Sequence, residues 1–69
     1  MDCAVQINAA RAALARAAWA RGLAAYYDEN AIIDLLVDIR HWCHAAGIDF
    51  AASDQGAARL YHNEVGSAS

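Results

Sequence analysis

From Asn30 to Gly47 the chain reads NAIIDLLVDIRHWCHAAG, and its apolar positions recur with a helical period. At about 100° per residue, Ile32, Leu35, Leu36, Ile39, Trp42, Cys43 and Ala46 fall within an arc of roughly 120°, which is the expected core face. Asp34, Asp38 and His41 follow i, i+4, i+7 and lie on a different side, far from that arc. Asn30 is the expected N-cap, because its side-chain oxygen can accept from a backbone N–H of the first turn. Gly47 is the expected C′ residue, able to take the left-handed conformation that closes a helix, with Ile48 folding back on Trp42 or Cys43 as the C″ residue of a Schellman motif. The pattern predicts a helix over 31–46.

On either side the pattern is looser. Residues 3–27, CAVQINAARAALARAAWARGLAAYY, predict a long first helix capped by Asp2. Trp19, Leu23, Tyr26 and Tyr27 share one broad face, and Ile7 and Leu14 lie nearly opposite. The two halves therefore pack on different neighbours, or the helix bends at Gly22. Asp28, Glu29 and Asn30 form a polar connector that also gives the second helix a negatively charged start. Ile33, Val37, Arg40 and His44 make a mixed flank beside the apolar arc, which either meets the first helix or stays outside. Asp49 is the expected N-cap of a third helix over 50–64, with Phe50, Ala57, Tyr61 and Val65 on its apolar face and Leu60 at the edge. Gly56 costs about 1 kcal/mol relative to alanine inside a helix, so a start at Ser53 is the alternative. The last residues, GSAS, read as a frayed tail.

Composition supports an all-helical chain. Nineteen of the 69 residues are alanine, four are glycine and none is proline, a balance that favours helix throughout. The expected fold is all-α, a small three-helix domain occupying residues 1–69 as one unit. A chain of this size builds only a modest core unless a metal, disulfide, partner or close helix packing helps it. Without a basic leader before Cys3 or a continuous apolar run, the expectation is a cytoplasmic chain with two reduced thiols and no membrane span.

The formal charge of −3 is unevenly spread. Residues 1–27 carry Arg11, Arg16 and Arg21 against Asp2. Residues 28–69 carry Asp28, Glu29, Asp34, Asp38, Asp49, Asp54 and Glu64 against Arg40 and Arg59. The three early arginines are five apart, so each is turned about 140° from the last and they form no stripe. Direct binding to nucleic acid, which needs a positive patch, is not expected. Docking on a basic protein surface is compatible with this distribution.

His41, Cys43 and His44 form an H-x-C-H cluster, but a zinc site would require Cys3, His62 or Asp38 to close a tetrahedron, and no paired C-x-x-C is present. No metal or cofactor is expected. Cys43 falls on the apolar arc, where a thiol stays protonated and unreactive. Asp34 and Asp38 sit one turn apart on a convex face without a pocket. There is no glycine-rich phosphate loop and no serine triad, so an enzyme is not expected. What remains is recognition by a surface. The densest patch of one sign is Asp28, Glu29, Asp34 and Asp38 with His41 at its end, and Trp19, Tyr26 and Tyr27 are the aromatic anchors nearest to it.

Residues 34–64 resemble a group of small bacterial mobile-element and phage-associated proteins. The resemblance lies in an Asp-Leu-Leu-x-Asp-Leu-Arg-His helix (Asp34–His41, with Ile39 in place of the last Leu), a Gly-hydrophobic-Asp-Phe turn (Gly47–Phe50) and a helix that ends near Tyr61. Among small acidic helical proteins of this provenance are anti-CRISPR inhibitors. The resemblance therefore implies a bacterial host cell, a Cas effector as partner, and inhibition by occluding nucleic-acid binding. It assigns no specific functional residue. The alternative is a non-enzymatic interaction module, such as an antitoxin or an oligomeric accessory protein, that uses the alanine-rich helix as its interface. The pattern leaves oligomeric state open, with a monomer the simpler expectation.

Overall fold

The computed structural model describes residues 3–67. It is all-α, with three helices: α1 (Ala4–Ala20), α2 (Glu29–Ala46) and α3 (Phe50–Ser67). No strand occurs among the described residues. The chain divides into two compact units between Asp38 and Ile39. The first holds α1, the connector and the first turns of α2. The second holds the rest of α2 and α3.

In the first unit the opening helix is shorter than the sequence pattern predicts. It begins where the Ile7 N–H donates to the Cys3 carbonyl (2.9 Å); the expected Asp2 cap lies outside the described residues. It ends at Ala20, and Gly22 closes the helix instead of bending it. Leu23 N–H donates to the Ala18 carbonyl (3.0 Å) and Gly22 N–H to the Trp19 carbonyl (2.9 Å), the two bonds of a Schellman closure with Arg21 as C-cap. Gly22 has φ +78° and a Cβ there would meet no atom within 4 Å. Only the left-handed backbone, not space, requires glycine at this position. Residues 23–28 then run as an irregular connector. Tyr27 in this connector lies under the Arg11 guanidinium, whose carbon is 4.2 Å from the ring centroid.

The second helix starts two residues earlier than expected, and its cap is Asp28 rather than Asn30. Asp28 Oδ1 accepts from Ala31 N–H (3.1 Å), and the Asp28 carbonyl accepts from Ile32 N–H (3.2 Å). A carboxylate outcompetes the Asn30 amide at this position because it meets the positive end of the helix as a full charge.

The buried side chains of this unit are Ala15, Ala18 and Ala31, and Ala18 is fully inaccessible. Each buried methyl contributes about 0.8 kcal/mol, against about 1.5–3 kcal/mol for a buried leucine or isoleucine. The inner stripe of α2 is thus Ala31, with half-buried Asp34 and Leu35, and with Asp38 engaged by Arg21. These four are spaced i, i+3, i+4, i+7.

The expected apolar core arc of α2 is not the core. Ile32, Leu36, Ile39, Trp42 and Ala46 are exposed, Leu35 is half-buried, and only Cys43 is buried. The physical reason is in the inner stripe. Alanines on α1 permit close approach but reward no large apolar partner, whereas Arg21 and Tyr26 both find acceptors on the acidic side of α2.

The second unit follows its sequence more closely. Ile48 N–H donates to the Cys43 carbonyl (2.8 Å) and Gly47 N–H to the His44 carbonyl (3.4 Å), with Gly47 at φ +72°. This is the predicted Schellman closure. Asp49 is the predicted N-cap of α3: its Oδ1 accepts from Ala52 N–H (3.1 Å), and Gly56 lies within an unbroken helix. The helix runs past the expected end at 64, so Gly66 and Ser67 are helical, while Ala68 and Ser69 of the expected tail lie outside the described residues. Arg40 stacks on Phe50, its guanidinium carbon 4.4 Å from the ring centroid. Of the expected apolar face of α3 only Phe50 is even half-buried; Ala57, Leu60, Tyr61 and Val65 are exposed. Tyr61 instead meets the adjacent His62 edge-on, with ring centroids 5.7 Å apart.

Candidate protein-binding surface

The residues singled out for charge do not form one free acidic patch. Arg21, at the C-cap of α1, extends Nη2 to α2, where it donates to the Asp34 carbonyl (2.9 Å) and pairs with the Asp38 carboxylate. Tyr26 O–H donates to Asp34 Oδ2 (2.5 Å). Asp28 is occupied as the N-cap. Three of the four carboxylates therefore hold the first unit together. Glu29 and His41 are exposed and engage no side chain among the described residues. Glu29 is five residues from Asp34, so it is turned about 140° away and stands on a different side of α2.

Hydrogen bonding to the Asp34 carboxylate raises the Tyr26 pKa above 10.0, with partial burial and the Asp34 charge acting in the same sense and Arg21 opposing. The phenol is the donor, so its neutral form is the one favoured in the folded chain. A raised folded pKa stabilises the fold fully below the ordinary tyrosine range. That contribution disappears as pH rises through the folded value. In an alkaline titration followed by phenolate absorbance, one tyrosine should ionise late, and Asp34→Asn should return it toward 10.0. An unchanged titration curve in that variant would show that the bond does not form in solution.

The opposite side of α2 is apolar and open. Ile32 and Ile33 are each 49% exposed, Leu36 40% and Val37 46%. These residues lie on consecutive turns of one helix, with Glu29 before them and Arg40 after them along the same side. The mixed flank of the sequence pattern thus proves to be outward-facing. Ile33 and Val37 in it were as informative as the apolar arc itself.

Both cysteines are thiols, Cys3 exposed and Cys43 buried. Among the described residues no three of His, Cys, Asp and Glu are grouped to hold a metal ion, and no helix is long and apolar enough to cross a membrane. Comparison with protein families, with curated proteins and with solved structures gives no match.

Proposed function

We propose that this chain is a non-enzymatic helical binding module whose recognition surface is the outward apolar face of α2. The observation that carries this reading is the contrast between the two sides of one helix. Ala31 is buried, Asp34 and Leu35 are half-buried and Asp38 is paired with Arg21, while Ile32, Ile33, Leu36 and Val37 are exposed and apolar. Contiguous exposed aliphatic side chains framed by charge are the composition of an interface core with a polar rim. Affinity capture of bacterial proteins with the tagged chain, read by mass spectrometry, tests it. Proteins retained by the wild type should be lost with Ile33→Asp/Leu36→Asp while helicity by circular dichroism is unchanged. Retention of the same set by both forms would exclude this face.

A second reading is inhibition of a Cas complex, an anti-CRISPR-like role in which the acidic chain covers a basic nucleic-acid-binding surface through carboxylates that its own fold leaves unengaged, Glu29 first among them. It draws support from the net charge of −3 and from Glu29 and His41, which engage no side chain among the described residues. Competition between the chain and labelled nucleic acid for a purified Cas complex tests it, and undiminished nucleic-acid binding would remove it.

A further inference from the structure

The outward side of α2 is its own complement. Glu29, Ile32, Ile33, Leu36, Val37 and Arg40 are all exposed and all belong to one continuous helix. Their positions are symmetric about the peptide between Asp34 and Leu35. Reversing the helix exchanges Glu29 with Arg40, Ile32 with Val37, and Ile33 with Leu36.

We propose that this face is the interface of a homodimer in which α2 of one copy lies antiparallel on α2 of its partner about a two-fold axis at the centre of that face. The inference rests on the binding-module reading and names its occupant as a second copy of this chain. A two-fold contact requires a surface that is self-complementary, because each residue i that meets j is repeated as j meeting i. In this register the aliphatic side chains meet at the centre, and the two ends each place Glu29 of one copy beside Arg40 of the other. Glu29 and Arg40 are about 16 Å apart along the axis. The two ion pairs therefore bracket the apolar centre from both sides, the rim position in which charge sets register and orientation.

Both members of the pair are able to act. Glu29 engages no side chain among the described residues. Arg40 lies over the Phe50 ring, which occupies the face of its guanidinium and leaves in-plane N–H donors for a carboxylate. A parallel arrangement would set Glu29 against Glu29 and Arg40 against Arg40, so the same charges that favour one orientation oppose the other.

Sedimentation equilibrium over a concentration series provides the test, with circular dichroism confirming that each variant is helical. The wild type is expected to dimerise. Glu29→Arg alone and Arg40→Glu alone should each weaken the dimer by about tenfold or more, because both end contacts turn from attraction to repulsion. The combined variant Glu29→Arg/Arg40→Glu should recover most of the lost affinity. An equimolar mixture of the two single variants should associate more tightly than either alone, since position 29 of one then complements position 40 of the other. A monomeric wild type, or a dimer indifferent to the swap, overturns the inference. If the monomeric wild type still loses a captured protein on Ile33→Asp/Leu36→Asp, the inference fails while the binding-module reading stands.

Discussion

Ala18→Leu should destabilise the chain by about 1–3 kcal/mol and lower its thermal midpoint clearly, although leucine is a strong helix former. Ala18 is fully inaccessible, and its buried companions in the first unit are Ala15 and Ala31. Small side chains at a close approach leave no volume for three more carbons, so the larger residue forces either an unfavourable rotamer or separation of the helix surfaces. A small domain has little stability in reserve, and a loss of this size moves a visible fraction of molecules to the unfolded state. Leucine at Ala13, exposed in the same helix, is the control. It shares the gain in side-chain size without the burial and should change stability by no more than about 0.5 kcal/mol. Equal midpoints for the two variants in thermal unfolding followed by circular dichroism would show that Ala18 is not a packing position.

How far the sequence discloses this structure depends on which interaction is local. The Gly47 closure, the Asp49 cap and the last turn of α2 follow from neighbours within a turn or two, and pattern reading reaches them. Gly22 carries the same signal as Gly47, a glycine followed by an aliphatic residue. It is masked because the alanine-rich composition resumes immediately with Leu23, Ala24 and Ala25. The choice of which side of α2 turns inward is not local. Hydrophobic periodicity assigns Ile32, Leu36 and Ile39 to the core because it assumes that the partner helix offers apolar side chains to match. Here the buried residues of α1 are alanines, and the specific contacts are Arg21 and Tyr26 on Asp34 and Asp38, which are 13, 17 and 8 residues apart in the chain. No periodicity in α2 alone encodes that pairing. The same apolar pattern remains meaningful, but its meaning moves from core to interface, which is why the recognition surface and the expected core overlap at Ile32 and Leu36.

Reversing Asp28, Glu29, Asp34 and Asp38 together to lysine or arginine should destabilise the chain by about 2 kcal/mol, even though all four are polar residues away from the apolar arc of α2. The cap provided by Asp28 is worth about 1 kcal/mol. Basic residues in the first turn of α2 oppose the helix dipole by a further few tenths to about 1 kcal/mol. The Arg21–Asp38 pair, partly open to solvent at 29% and 48% side-chain exposure, contributes at most about 1 kcal/mol, and reversal replaces it with repulsion. Loss of the acceptor for Tyr26 adds to these. Glu29→Arg alone should cost only the dipole contribution, since Glu29 engages no side chain among the described residues. The two variants therefore separate folding from recognition. Urea titration should place the quadruple variant well below the wild type and Glu29→Arg close to it, and any loss of partner binding in the quadruple variant is then a folding effect until the single variant reproduces it. A quadruple variant as stable as the wild type would mean that Asp28, Asp34 and Asp38 are not holding α2 in place, and the acidic side of the helix would return as the leading candidate for partner recognition.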